Sequence, residues 1–330
     1  MQQEEFDFIS IGDTTTDAFI RINQASVYTD DKGGEKLCVE NASKVPYESV
    51  TVVPAVGNSP NAAVAAHRLG LKSALVTDIG DDWHGKEDLE TFAKNGVDTQ
   101  FIRIHSGKES NYHYVLWYKA ERTILIKHHD YPYALPNIGK PRWIYFSSVG
   151  EDSIEYHHEI ANFVKENPNT KLAFQPGTFQ IKLGYDTLKD LYEASAIFFC
   201  NKQEAQLILK SDENDTATLA RMLHTKGPNL AVVTDGPGGA YTANSEALWH
   251  MPMYPDPKPP LDRTGAGDSF SSTLTSFLAL GLPIEEALKR APINSMSVVQ
   301  YIGAQEGLLS RDKIEEYLKN APQEYMPKKL

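Results

Sequence analysis

The segment Asp262-Arg263-Thr264-Gly265-Ala266-Gly267-Asp268-Ser269-Phe270 stands directly before a long amphipathic stretch. Two glycines beside an alanine let the backbone approach a ligand closely. Free amides at a helix start, together with the helix dipole, favour an anion there. Asp268, at that start, would be placed to take a proton from a hydroxyl. The neighbouring amides would stabilise charge on a phosphoryl group in transfer. The same letters are met equally well by a glycine-rich turn with Asp268 as a helix cap. Other phosphate sites fail on the letters. The run Gly265-Ala266-Gly267-Asp268-Ser269-Phe270 lacks the third glycine of a dinucleotide fingerprint. No Gly-Lys pair is followed by Ser or Thr, so a Walker A loop is missing, as are the protein-kinase motifs.

Two further segments have chemical potential. Asn201-Lys202-Gln203-Glu204 follows an apolar run and opens a helical pattern. Asn201 and Glu204, one turn apart, would share a helix face and hold water on Mg²⁺, which keeps much of its hydration shell. Taken alone, the pair reads more simply as a capping box. Thr234-Asp235-Gly236-Pro237-Gly238-Gly239-Ala240 also follows an apolar run, and its glycines would either admit a nucleotide or make a tight turn. Alone, the turn is the simpler reading. His128-His129 and His157-His158 are adjacent pairs without the i, i+4 spacing of a helical zinc site, so solvated or hydrogen-bonded roles are expected. No Gly-x-Ser-x-Gly elbow starts a hydrolase triad.

These segments need elements to position them. Short apolar runs at Phe6 to Ile11, Ala74 to Thr77, Trp143 to Phe146, Lys171 to Phe174, Ile197 to Cys200 and Leu230 to Thr234 read as buried strands. Helical patterns lie between them, at Ala62 to Leu69 behind Pro60, Glu87 to Lys94, His158 to Lys165, Thr187 to Tyr192, Gln203 to Leu209 and Ala217 to His224. Strand and helix in alternation predict a mostly parallel sheet covered on both faces. Two stretches break the rhythm. Ala18 to Val56 has a polar middle from Tyr28 to Glu40, and Phe101 to Tyr133 holds a hairpin, Tyr112 to Tyr118 and Thr123 to Lys127, joined at Lys119-Ala120-Glu121-Arg122. Structureless loops of this length are uncommon, which favours a small β-rich lid drawn from residues 18–56 and 100–133 of one 330-residue domain. The last third is helical: Gly265 to Leu280, Ile284 to Val299 and Arg311 to Leu318.

Bulk properties narrow the partners. The 330 residues are 41% hydrophobic and 23% charged, enough for a large core without staples. A net charge of −12 disfavours a nucleic-acid polymer or an anionic membrane. Cys38 and Cys200 are too far apart for a redox or zinc motif and read as free thiols of a cytoplasmic protein. Met1 to Phe8 lacks the basic and apolar regions of a signal peptide, and no apolar stretch approaches the ~20 residues of a membrane span.

In this order, the segments resemble the ribokinase-like (PfkB) family of sugar and nucleoside kinases. Gly265 to Asp268 resembles its second signature, preceded by the Asp-x-Thr of Asp262 and Thr264. Asn201 and Glu204 resemble its Asn-x-x-Glu motif, and Thr234, Gly236 and Gly239 its Thr-x-Gly nucleotide turn. Gly12 to Asp17 resembles the turn after the first strand, and Val56-Gly57-Asn58-Ser59-Pro60-Asn61 the first signature, with Val56 in place of a usual glycine. Glu121-Arg122-Thr123 resembles a lid-strand segment, while Gln175 replaces a common Asn.

The resemblance implies a three-layer α/β/α domain with a β-rich lid, and ATP-dependent phosphorylation of a sugar. It assigns acceptor binding to Asp17, Gly57, Asn58 and Asn61, the base to Asp268, and the anion hole to Gly265, Ala266 and Gly267. Asn201 and Glu204 would position Mg²⁺ through water, and Thr234, Gly236 and Gly239 would contact ATP. Asp262 and Thr264, with Gly303-Ala304-Gln305, correspond to a region that encloses K⁺ in some members. Lid strands pair two copies in several members. A nucleoside kinase is the alternative within the fold, with Phe19, Tyr112 and Tyr114 as candidate platforms for a base. A non-catalytic sugar or nucleotide sensor has no need of Asp268, and an NAD-dependent oxidoreductase lacks its fingerprint.

Overall fold

Strand β1, Phe8–Ile11, shows why the sheet is buried on both sides. Alternate side chains of a strand point to opposite faces, and here both faces are apolar: Ile9 and Ile11 enter one core cluster, Phe8 the other. The chain then forms β2 (Thr15–Ile22), β3 (Ser26–Thr29), β4 (Glu35–Cys38), β5 (Tyr47–Val56), α1 (Asn58–Arg68), β6 (Ser73–Gly80), α2 (Trp83–Lys94) and β7 (Ile102–His105). A hairpin of β8 (Tyr112–Tyr118) and β9 (Glu121–Leu125) precedes β10 (Trp143–Phe146), α3 (Ile154–Glu166), β11 (Lys171–Phe174), α4 (Thr178–Leu183), α5 (Lys189–Ala194) and β12 (Ser195–Asn201). Next come α6 (Lys202–Leu209), α7 (Thr216–His224), β13 (Leu230–Thr234), β14 (Ala240–Ala243) and β15 (Leu248–Met251). Helices α8 (Ala266–Ala279), α9 (Ile284–Val298) and α10 (Arg311–Lys319) and the short β16 (Lys328–Lys329) complete it. This computed structural model describes residues 5–31, 33–119 and 121–330. Part of the N-terminal reading (Met1 to Glu4), Lys32 of the polar stretch and Ala120 of the expected hairpin turn lie outside the described residues.

Among the described residues a ten-stranded sheet runs β16-β15-β14-β13-β12-β11-β10-β1-β6-β7, parallel from β13 to β7 and antiparallel at the other edge. One face packs residues of α3, α5, α6 and α7, the other residues of α1, α8, α9 and α10. The expected three layers are present. From β1 the chain builds one wing through β6 and β7 and the other through β10 to β13. The C-terminal ends of β1 and β10 therefore flank a topological switch point, where open α/β sheets leave a crevice.

A second sheet, β5-β2-β8-β9, stands over that crevice, with β2 and β8 parallel and the outer pairs antiparallel. The polar stretch around Tyr28 to Glu40 forms the ribbon β3–β4. Several boundaries differ from the sequence reading. Helix α1 begins at Asn58, ahead of Pro60, because a first-turn proline gives up no intrahelical hydrogen bond. The helix expected over Thr187 to Tyr192 is α5, shifted two residues on, and a further short helix, α4, precedes it, ending where Gly184 takes φ 81°. The β14–β15 ribbon, unforeseen, covers the edge at β13.

Candidate functional site

Gly265 caps α8 with φ 77°, a left-handed conformation that glycine adopts without penalty. A Cβ there would meet Ala304 Cβ at 2.3 Å, so the position is closed to any side chain. Gly267, by contrast, has open space where its Cβ would be. The first turn of any helix leaves its amides without intrahelical partners. In α8 that turn forms the wall between two cavities.

One cavity, of about 220 Å³, is lined by Thr234, Gly236, Gly239, Ala266 and Gly267, and by apolar side chains including Met251, Tyr254, Phe270 and Met296. The other, about 260 Å³, lies under the small sheet. It is lined by Asp17, Gly57, Asn58, Asn61, Glu204, Thr264 and Asp268, together with Phe19, His113, Ile124, His128 and Phe179. The sequence-expected acceptor residues thus face one cavity and the expected nucleotide-turn residues face the other. Glu204 and Asp268 share the acceptor side.

Asp268 is half-buried and held at both oxygens. Asn61 Nδ2 donates to Oδ2 at 2.8 Å, and Gln175 Nε2 donates to Oδ1 at 3.0 Å. Burial pushes its pKa above the ordinary carboxylate value, and the two amide donors oppose that rise. Gln175 is itself fixed. Its Oε1 accepts from Ser271 Oγ at 2.7 Å and from the Tyr145 hydroxyl, so the amide must aim its N–H₂ at the carboxylate. Asn61, expected to touch an acceptor, has its amide engaged instead with Asp268 and with Gln305 Nε2 at 3.0 Å. Gln175 entered the sequence reading only as a departure; its orienting role was not legible there.

Asn201 and Glu204 form the capping box that the local sequence suggested. Asn201 Oδ1 accepts from Glu204 N at 2.9 Å, and Glu204 Oε2 accepts from Asn201 N at 2.8 Å. The cap also turns the Glu204 carboxyl toward the cavity. Burial first, then the Asp268 charge, raise its pKa. In the Thr234 to Gly239 turn, Gly236 and Gly239 both have positive φ, and Asp235 N donates to Gly239 O at 2.8 Å.

The small sheet adds His113, which the sequence did not single out, to the expected Asp17. Strand alternation turns Asp17 and His113 inward, the latter's Nδ1 lying 3.3 Å from Asp17 Oδ1. Asp17 Oδ1 and His113 Nε2 are buried without a hydrogen-bond partner in the protein. The same alternation turns Tyr112 and Tyr114 to the opposite face, so of the expected base platforms only Phe19 reaches the cavity. His128 meets Asp13 Oδ2 at 3.1 Å, and Tyr133 donates to the same carboxylate at 2.9 Å. His157 is fully buried, its Nε2 3.0 Å from Gln180 Nε2, and burial lowers its pKa to about 4. His158 pairs with Asp190 at 2.7 Å. Among the described residues no group of three or more His, Cys, Asp or Glu forms a metal cluster.

Asp262, expected with Thr264 beside K⁺, has its carboxylate met by N–H groups. Asp262 is 1% exposed. Its Oδ1 accepts from Thr264 N at 2.7 Å and lies 2.8 Å from Arg122 NH2, and its Oδ2 accepts from Gly303 N at 2.9 Å. The carboxylate oxygens are met by N–H groups, one of them cationic, where K⁺ would need oxygen ligands.

Residues 36–311 match the family described as pfkB family carbohydrate kinase. The ribokinase of Bacillus subtilis (strain 168) is 25% identical over 277 residues, covering 79% of this chain and 87% of that protein. The aminoimidazole riboside kinase of Salmonella typhimurium is 25% identical over 287 residues, covering 79% and 87%. Arabidopsis thaliana ribokinase, solved with ribose and ATP, superposes with a TM-score of 0.81 at 17% identity, covering 96% of this chain and 99% of that one. With that match spanning most of its length and the first turn of α8 lining both cavities, the chain belongs to the pfkB family of carbohydrate kinases, phosphotransferases with an alcohol acceptor.

Proposed function

We propose that the protein transfers the γ-phosphoryl group of ATP to a hydroxyl of a small sugar. One observation carries the reading: Asp268, gripped by two amides, stands on the α8 turn that separates an apolar cavity from a more polar one. The apolar cavity fits a nucleobase, and the open Gly267 admits phosphates against the first-turn amides. The more polar cavity presents Asp17, whose Oδ1 lies 3.3 Å from His113 Nδ1 without a hydrogen bond, and the unpartnered His113 Nε2, a pair that can accept from one sugar hydroxyl and meet another. Asn58 and the Gly57 backbone complete that wall.

An acceptor hydroxyl beside Asp268 gives its proton to the carboxylate as its oxygen bonds to the γ-phosphorus. The bond from that phosphorus to the β-bridging oxygen breaks, and ADP leaves. Amides of Gly265 to Asp268 stabilise charge on the equatorial oxygens. Glu204 and the Asn201 segment would hold Mg²⁺ through water, and that ion would offset charge on the phosphates. The small sheet acts as a lid that excludes water. Supporting a sugar over a nucleoside is the outward orientation of Tyr112 and Tyr114, which leaves Asp17, His113 and His128 on the acceptor wall with Phe19, Ile124 and Phe179.

The test is ADP release from Mg-ATP across a panel of sugars and nucleosides, for wild type and Asp268→Asn. Turnover with a sugar, reduced roughly 10²–10⁴-fold in the variant, is expected. Wild-type turnover in the variant would refute the base, and turnover with nucleosides alone would refute the sugar. The two free cysteines, one of them buried, fit a reducing, cytoplasmic setting. Finally, Val50, Val52, Tyr114 and Leu125 leave an exposed apolar outer face on the small sheet, which supports pairing of two copies through it. Sedimentation should show a dimer that Val52→Lys dissociates; a monomeric wild type excludes that pairing.

A further inference from the structure

Arg122 lies on β9 opposite Trp117, and its guanidinium stands 4.8 Å from the centre of that ring. Trp117 is itself buried and donates Nε1–H to Lys119 O at 3.0 Å, so the platform beneath the cation is fixed. From there NH2 reaches Asp262 Oδ1 at 2.8 Å, and the Arg122 side chain is only 10% exposed. This contact joins three segments. Asp262 binds the amide of Thr264 on the way into α8 and the amide of Gly303 in the facing loop. Thr264 and Gly303 both line the acceptor cavity, and Gly265 rests against Ala304. Arg122 adds the small sheet to the same carboxylate.

A guanidinium is charged at every accessible pH and presents its donors in a fixed plane. Asp262 is 1% exposed, and a carboxylate so buried is stabilised by a cation in addition to its two backbone donors. We infer that Arg122 is a positioning residue that takes the place of a monovalent cation at Asp262. It fastens the small sheet to the loop that opens α8, so nucleotide binding and turnover need no K⁺. For turnover this rests on the kinase reading above; for nucleotide binding it stands apart from the choice of acceptor.

The experiment compares the wild-type chain in potassium, sodium and tetramethylammonium chloride. Mg-ADP affinity is read by calorimetry, and turnover is read with whichever acceptor is active. At equal ionic strength, screening is the same, and wild-type Kd values are expected to agree within about twofold. Arg122→Ala, checked for folding by circular dichroism, is expected to bind Mg-ADP roughly tenfold more weakly in tetramethylammonium and to recover in potassium. Arg122→Lys keeps a charge and should stay indifferent to the salt. A wild type that requires K⁺ overturns the inference, and so does an Arg122→Ala protein weakened equally in every salt. If Arg122→Ala does not fold, the wild-type salt series decides alone. Absence of turnover with every acceptor would count against the kinase reading, while the Mg-ADP arm would still be read.

Discussion

Asp268 receives one amide N–H on each carboxylate oxygen, which fixes the plane of the group and lowers a pKa that burial raises. A base whose pKa is raised is protonated sooner as pH falls. The acid limb of kcat/KM should therefore lie above the ordinary Asp value of about 3.9. Gln175→Ala removes one of the two groups that hold the pKa down. It should lower kcat more than it changes the acceptor KM and move the acid limb to higher pH. An unchanged pH profile would show that Gln175 does not orient the base. The amide of Gln175 is aimed by Tyr145 and Ser271, residues far apart in sequence, and no local pattern announces such a relay.

At the scale of the element, the two glycines of α8 have different tasks although they look alike in the sequence. Gly265 has a left-handed φ and no room for a Cβ against Ala304, whereas Gly267 has a helical backbone and open space. Gly265→Ala should lose stability, by on the order of 1–3 kcal/mol from strain and overpacking. Gly267→Ala should keep its melting temperature and raise the KM for ATP, because the added methyl stands where phosphates approach. Thermal denaturation paired with steady-state kinetics separates them, and equal losses of stability would contradict the distinction. Helix α6 makes a related point. Its capping box satisfies the helix end and also presents Glu204 to the cavity, so the capping and functional readings of Asn201-Lys202-Gln203-Glu204 are compatible.

For the whole molecule, Asp88 is one of the ties at the junction between the two sheets. This fully buried carboxylate on α2 accepts from Ala55 N at 2.6 Å and from Thr16 Oγ1 at 3.3 Å, tying β5 and β2 to that helix. Its Oδ2 has no partner, and burial raises its pKa from 3.8 to about 7. Between those values the folded state binds more protons than the unfolded state. The group's contribution is therefore favourable at low pH and is lost as pH rises toward 7. The shift corresponds to on the order of 4 kcal/mol across that window. Denaturant unfolding of Asp88→Asn should lack this fall in stability, and a pH dependence equal to that of wild type would exclude Asp88 as its source.

The sequence alone determined the alternating strands and helices, the place of Asp268 at a helix start, and the order of the motifs, because each rests on nearest neighbours or on apolar periodicity. Strands β10, β11 and β13 carry the bounds read from their letters. Tertiary structure decided which distant groups meet. Strand alternation made His113 rather than Tyr112 or Tyr114 a wall of the acceptor cavity, and the pairing of β8 with β2 set that register. Packing turned Asn61 and Gln175 onto Asp268. It also placed a guanidinium from β9 on Asp262, 140 residues further along the chain (262 − 122). Such contacts depend on how sheets stack, and their partners leave no mark on one another's neighbours in the sequence.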